Sequence, residues 1–446
     1  MAIGLVGSEM CIRDRNNTWY DDTLINRFEQ KEHLTNNHKC AVLIVGGGLA
    51  GLSLLYKLKK NNVDAVLIEE NHIGSGASGR NGGFCLSGWA QDYDVLLKYL
   101  SKEEVVTLEK IAASGVKWMK KKCLSEGYEH TNLQSGVLKC FLTNNVEKVK
   151  KHVIAQNKLF HQNEEFLNKE KLNKYVCSDK YTCGVFRQDS FQFHPLNFMH
   201  ALAKDCSNMG ASIFENCKFV SYQMDGAKIN SSVFNENEMV NIQSEKIVFA
   251  TGGYGGKEIK DLKSYWLPIK TFIGVTKPIG NELQSVLKKP LGFSDNRRAG
   301  NYYRVLPGNR LSWGRGISAV GKFTYPNLKR AISKEINYFF PELRNVEMDY
   351  VWSGNMAYAS HYMPYVGSTK IGNEEKNVFT LMGFGGHGMN TAPGSAMVLA
   401  DFILGKNNKH EVFNRFRRKW NGGLIGPYIA EMKYKYLQMK DYFDVA

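Results

Sequence analysis

Cys40-Ala41-Val42-Leu43-Ile44-Val45-Gly46-Gly47-Gly48-Leu49-Ala50-Gly51 decides the fold. Ala41 to Val45 is apolar without alternation, the mark of a strand buried on both faces. Glycines break the run, and Leu52, Leu55 and Leu58 then recur at helical spacing through Lys60. Ala65-Val66-Leu67-Ile68 supplies a second buried strand, so strand, glycine turn, helix and strand make a parallel βαβ unit. Within it, Gly46-x-Gly48-x-x-Gly51 sits between strand and helix. Gly46 allows the tight turn, Gly48 lets backbone approach a pyrophosphate, and Gly51 lets the helix pack on the strand. The helix N-terminus offers free N–H groups and a positive dipole to the phosphates. Glu69 ends the second strand, where a carboxylate accepts from ribose hydroxyls; a carboxylate rather than Arg argues against a 2′-phosphate.

The next stretch, Ile73-Gly74-Ser75-Gly76-Ala77-Ser78-Gly79-Arg80-Asn81-Gly82-Gly83, separates FAD from NAD. Its backbone N–H groups and one guanidinium suit a second approach to a pyrophosphate. After Gly88 the pattern changes to amphipathic helices, Val105 to Cys123 and Val146 to Phe160, with no further parallel-sheet signal until about residue 211. A helix over Leu196 to Met209 leads to strands at Ser212 to Gln223 and Ala227 to Val233, and to a buried run at Glu245 to Ala250. Aromatic-rich strands at Ile269 to Val275, Asn301 to Leu306 and Arg310 to Trp313 suggest an antiparallel sheet. Asn377 to Met382 is again a buried strand, followed by Gly383 to Gly388 and a helix from Ala392 to Leu404. Residues 16–38 are polar without a sustained period, and residues 1–15 do not fit the rest and look like translated sequencing adapter.

With 446 residues, 43% of them hydrophobic, the chain exceeds a small binding module and is not disordered throughout. Its net charge of +15 would suit nucleic acid, an anionic membrane or a polyanionic cofactor, but the lysines are spread along surface stretches, so no nucleic-acid partner is favoured. Nine scattered cysteines, never C-x-x-C, read as reduced thiols in the cytoplasm with no zinc site. No apolar run is long enough to span a membrane and the start has no basic n-region, so a soluble chain without a signal peptide is expected.

These residues resemble the D-amino-acid-oxidase-like superfamily of FAD-dependent oxidoreductases, most closely the gamma-glutamylputrescine oxidase type. The resemblance also rests on Phe193-His194-Pro195-Leu196, Phe249-Ala250-Thr251-Gly252, Val351-Trp352-Ser353-Gly354, Met363-Pro364-Tyr365-Val366-Gly367 and Gly383-Phe384-Gly385-Gly386-His387-Gly388. It implies an α/β chain, α+β overall: a discontinuous Rossmann-like FAD-binding domain plus a substrate domain on an antiparallel sheet. The FAD-binding domain is expected over 38–90, 191–262 and 354–410 and the substrate domain over 91–190 and 263–353. Residues 1–37 form an N-terminal extension, and 411–446 a C-terminal helical segment packed on the body. By the same resemblance Gly46, Gly48, Gly51 and Glu69 hold the adenosine half, with Thr251 and Gly252 at the strand end. Ser78, Arg80, Asn81 and Gly82 lie near the pyrophosphate and ring, and Gly385, His387, Gly388 and Met389 lie along the isoalloxazine. Candidate pocket walls are Trp352, Tyr303, Tyr358 and Tyr362; no catalytic base is assigned and no metal is expected.

Departures from relatives shape the functional expectation. Sarcosine oxidases attach FAD through a cysteine near Ser353, and dimethylglycine dehydrogenases through a histidine near Arg80; neither nucleophile is present, so FAD is expected to be non-covalent. Glycine oxidases hold the substrate carboxylate with an arginine where Met356 falls, which favours an amine over a small amino acid, although Arg304 or Arg315 could supply a cation. Ser312 stands where sarcosine oxidases place the lysine that assists oxygen, leaving oxygen or a quinone-type acceptor open. The expected activity is hydride transfer from the carbon beside the nitrogen of a small amine, polyamine or gamma-glutamyl-polyamine-like, to flavin N5, with hydrolysis of the imine. Alternatives are an amino-acid or taurine-type dehydrogenase, a tRNA-modification FAD oxidoreductase, or the flavin subunit of an electron-transfer complex.

Overall fold

The computed structural model describes residues 18–160, 162–255, 262–297, 300–321, 324–369 and 377–445; the adapter-like residues 1–15 lie outside them. Two sheets organise the chain. The first runs in the order Tyr365–Ser368, Val378–Met382, Glu238–Phe249, His38–Val45, Ala65–Ile68, Ser212–Phe214. Its core is parallel, with Leu43 opposite both Ile247 and Val66, and Val248 opposite Phe379. Side chains here are buried on both faces because the helix Leu49–Lys59 and the helix Pro195–Asn208 cover one side while the Cys217–Asp225 and Lys228–Asn235 strands fold over the other.

The second sheet is mainly antiparallel, in the order Met348–Ala359, Trp266–Thr276, Arg310–Ser318, Tyr302–Leu306, Gly292–Asp295, Gln134–Phe141, Cys183–Gln192, Phe84–Cys85. Gln134–Phe141 and Cys183–Gln192 lie in a stretch whose sequence shows mainly helices, and the helix Tyr325–Phe339 covers this sheet. One face packs on that helix through Leu138, Phe293, Tyr303, Trp313 and Val351. The other faces the first sheet's glycine turns. The strand Met348–Ala359 runs unbroken across residues 353 and 354.

Two local devices tie the layers together. His194 caps the helix Pro195–Asn208: its Nδ1 accepts the Asn197 N–H at 3.1 Å, and Pro195 occupies the first turn, where a missing N–H is harmless. The helices Lys102–Cys123 and Gly388–Ile403 cross at backbone contact, because a Cβ on Gly115 would fall on the Asn390 carbonyl and one on Gly394 on the Ile111 carbonyl. The second helix begins at Gly388, four residues before the expected Ala392.

The N-terminal extension is not a polar tail. Thr18 and Asp21 form a reciprocal capping box around the helix Trp19–Asp22, and Trp19 and Tyr20 bury against Leu196, Ile273 and Trp352. The C-terminal segment divides: Val412, Phe413 and Phe416 join the main core, whereas the helix Gly426–Val445 touches the body along one side only.

Candidate active site

The glycine turn forms as its sequence requires. Gly46 has φ +116°, and a Cβ there would come within 2.7 Å of the Ala250 carbonyl; one on Gly51 would fall on the Gly46 carbonyl oxygen. The turn therefore lies flush between the strand ends and the helix Leu49–Lys59, whose N-cap, Gly48, carries no side chain over the N-terminal N–H groups. Glu69 Oε2 accepts the Gly47 N–H at 2.7 Å and Oε1 accepts the Asn71 N–H at 2.9 Å. Each carboxylate oxygen keeps a lone pair for a further donor. Burial raises the Glu69 carboxyl despite these two bonds. Ser78 Oγ accepts the Leu49 N–H at 2.9 Å, so the serine-glycine loop closes over the same helix end.

Two features of the strand end beside this turn fit a dinucleotide. Thr251 Oγ1 is buried with no hydrogen-bond partner among the described residues, a costly state for a hydroxyl unless a further group completes it. Gly252, at φ +59°, has nothing among the described residues within 4 Å of where a Cβ would stand. The open backbone, the orphaned hydroxyl and a helix N-terminus on which Ser78 Oγ takes the Leu49 N–H together suit the ribose and pyrophosphate of FAD.

Three segments converge beyond the glycine turn. Asn81 knots the first: its Nδ2 donates to the Ser78 carbonyl at 2.7 Å and to Met389 Sδ at 3.2 Å, while its Oδ1 accepts the Gly83 N–H at 2.8 Å. Arg80 Nε donates to the Ser353 carbonyl at 3.0 Å, and Trp352 Nε1 donates to the Arg80 carbonyl at 2.8 Å. Asn390 Nδ2 reaches the Gly88 carbonyl at 2.9 Å. His387 Nε2 lies 3.2 Å from the Ser87 carbonyl, which only accepts, so Nε2 carries the proton and Nδ1 is left as an acceptor. Burial, reinforced by the Arg187 and Lys139 cations, pushes His387 down to about 4, so its imidazole is neutral at pH 7.

The sheet face above these loops sorts the pocket candidates. Tyr302 pairs with Gly314 and Ser294, its Oη lies 3.2 Å from Thr271 Oγ1, and a Cβ on Gly82 would come within 2.7 Å of its ring. Tyr303 points the other way. It stacks on Trp313 at 4.4 Å and donates to Tyr181 Oη at 3.1 Å inside the helix-covered core. The expectation for Tyr303 is therefore corrected to Tyr302, because successive strand residues alternate faces. Trp352 lies on the loop-facing side but is covered by Tyr20 at 5.5 Å, so it braces Arg80 rather than lining open space. Tyr358 and Tyr362 do meet, edge to face at 5.5 Å; a Cβ on Gly386 would stand 2.7 Å from Tyr358 Oη and 2.9 Å from Met356 Sδ.

The proposed cations also separate. Arg315 turns to the covering helix, donating to the Ala331 carbonyl at 2.6 Å and pairing with Glu335 at 3.6 Å. Arg304 is buried beneath Gly83, donates to Tyr20 Oη at 2.9 Å, and keeps an unpartnered Nε. Tyr20 in turn donates to the Asn81 carbonyl at 2.9 Å, so the extension holds the serine-glycine loop, a role announced in the sequence only by the Thr18-x-x-Asp21 capping box. Lys139, not singled out from the sequence, shares the Tyr302 face through its in-register neighbour Ser294 and forms no ion pair among the described residues. Burial, then the Arg187 charge, lowers its ammonium. Glu109, which like Lys139 feels the Arg187 charge, is buried and accepts from Tyr93 Oη and from Gln162 Nε2 at 2.9 Å; burial pushes its carboxyl up to about 7. Cys85, beside the loop, is fully buried and its thiol is raised by burial, an inert group.

Known proteins match this arrangement over nearly its whole length. The chain is 25% identical over 421 residues to the probable oxidoreductase OrdL of Haemophilus influenzae, covering 92% of this chain and 93% of that one. It is 23% identical to the gamma-glutamylputrescine oxidoreductase of Escherichia coli, covering 87% and 89%. Among solved structures, L-proline dehydrogenase from P. horikoshii superposes with a TM-score of 0.70 at 20% identity, covering 85% of this chain and 98% of that one. Glycine oxidase from Geobacillus kaustophilus does so at 0.67 and 18%, covering 83% and 96%. Residues 41–402 match the DAO family model, and the chain belongs to that family of FAD dependent oxidoreductases.

Proposed function

We propose that this enzyme oxidises the carbon beside the nitrogen of a small amine, of the polyamine or gamma-glutamyl-polyamine kind, and releases an imine that water hydrolyses. FAD, held without a covalent link, supplies the hydride acceptor. The observation that carries the reading is the wall opposite Gly386, built of Met356 Sδ and the Tyr358 phenol. An amino-acid carboxylate against a thioether would be buried unpaired, whereas a neutral amine is not penalised there. The chain's own work is positional. The Asn81 knot and the Arg80–Ser353 bond fix the loop, Tyr302 and Tyr358 exclude water, and neutral His387 offers Nδ1 as an acceptor without adding charge. The likeness to a gamma-glutamylputrescine oxidoreductase supports the same substrate class, and eight free thiols among the described residues support a reducing compartment such as the cytoplasm.

A second reading, an amino-acid or taurine-type substrate, is favoured by one residue. Lys139 places an amine without an ion-pair partner among the described residues on the Tyr302 face, five strands from Met356, about 24 Å at ordinary strand spacing. The test is the anaerobic flavin spectrum before and after adding polyamines, their γ-glutamyl derivatives, taurine, sarcosine and amino acids. Bleaching by amines lacking an acid group bears out the first reading. Bleaching confined to acids, with KM raised by Lys139→Met, replaces it with the second, and recovery in air separates oxidase from dehydrogenase.

A further inference from the structure

We infer that the outer face of the helix Gly426–Val445 is a docking surface for an anionic lipid bilayer. The helix is apolar on two sides. Its inner side is accounted for: Tyr434 is buried, and Glu431 Oε2 accepts from Ser318 Oγ and the Ala319 N–H, both at 2.8 Å. Its outer side is not. Tyr428, Ile429, Met432, Tyr436 and Met439 are each more than half exposed, and at 3.6 residues per turn they fall within one arc of about 100°. The turn that feeds the helix continues the stripe with Trp420, Leu424 and Ile425, Leu424 being 93% exposed. Exposed apolar area of this extent marks an interaction surface.

Charge selects the occupant. Lys433 and Lys440 border the stripe on one side and Lys435 on the other, all exposed, and none forms an ion pair among the described residues. Arg417 and Lys419 stand exposed just before Trp420. The described acids of the helix, Glu431 and Asp441, are turned to the body. A cationic rim on both edges would repel a second copy laid on the same stripe, whereas lysines reaching up from an apolar stripe rich in Tyr, Trp, Ile and Met suit phospholipid headgroups above acyl chains. The net charge of +15 acts in the same direction. No helix among the described residues is long and apolar enough to cross a membrane, so the contact is interfacial. Lys433 Nζ lies 3.3 Å from Tyr362 Oη, so the surface adjoins the mouth of the candidate pocket.

The test uses the full chain loaded with FAD, sedimented with vesicles of phosphatidylglycerol and phosphatidylcholine in equal parts, or of phosphatidylcholine alone. Binding to the anionic vesicles, reversed by high salt, is expected. With each lysine near such a surface contributing about fivefold, Lys435→Gln with Lys440→Gln lowers partitioning by about 25-fold. Ile429→Ser with Met432→Ser lowers it as well, while circular dichroism and flavin content stay at wild-type values. Equal binding to both lipids, or none to either, overturns the inference. So does a concentration-dependent dimer that Ile429→Lys dissociates, which would assign the stripe to a second copy, or a stable complex with another protein through it.

Discussion

Replacing Glu109 with glutamine should change how stability depends on pH. Glu109 is only 8% exposed, and its carboxyl sits at about 7 against an ordinary 4.5, chiefly through burial. Between those values the unfolded chain has lost the proton and the folded chain keeps it, so the folded form binds more protons and stability falls as pH rises through the window. Above about 7 both forms are ionised and the penalty stays constant. The difference of 7 − 4.5 = 2.5 units corresponds to about 3 kcal/mol. Glutamine keeps the shape and an acceptor for Tyr93 or Gln162 but cannot ionise. Urea unfolding of both proteins should therefore show the wild type losing about 3 kcal/mol relative to Glu109→Gln between about pH 4 and pH 8. A difference that does not change with pH, or that grows in the wild type's favour, would mean that Glu109 is already ionised in the fold and that Arg187 outweighs burial.

Gly51→Ala forces a Cβ onto the Gly46 carbonyl; overpacking of this kind costs about 1–3 kcal/mol, so FAD titration of the apoprotein should show affinity down roughly tenfold or more, and unchanged affinity would contradict the tight turn. Tyr302→Phe should alter turnover and the flavin spectrum with little change in melting temperature, whereas Tyr303→Phe strips Tyr181 of a buried partner and costs about 1–2 kcal/mol at constant turnover. The reverse pattern would show the two faces to be misassigned.

The parallel sheet was legible because strands buried on both faces read as unbroken apolar runs, and Val146 to Phe160 because its apolar residues repeat every turn. The helix Gly388–Ile403 was read short because Gly388 and Pro393 are both helix breakers by composition, yet the glycine opens the helix and the proline is accommodated within it. Strands Gln134–Phe141 and Cys183–Gln192 are not legible in the sequence because each mixes charged with apolar positions, and their pairing partners lie far along the chain. In Tyr302-Tyr303 the composition was informative and the facing was not: two adjacent tyrosines carry no mark of which one meets the core, and only the strand register decides it. Trp19 and Tyr20 show the same limit, since a four-residue helix has too few turns to display a period.

The crossing at Gly115 and Gly394 bears on how such enzymes diversify. Gly115 belongs to the helix Lys102–Cys123, whose apolar side joins the core beneath the first sheet, and Gly394 to the helix that His387 opens. Their contact is backbone on backbone, which no side-chain repacking can relax. The helix Lys102–Cys123 is thus not interchangeable with an arbitrary one: a replacement would seat the His387 end of its neighbour correctly only with a glycine at the same point. Changes in the proposed pocket walls leave this crossing untouched, whereas any exchange of either helix has to preserve it.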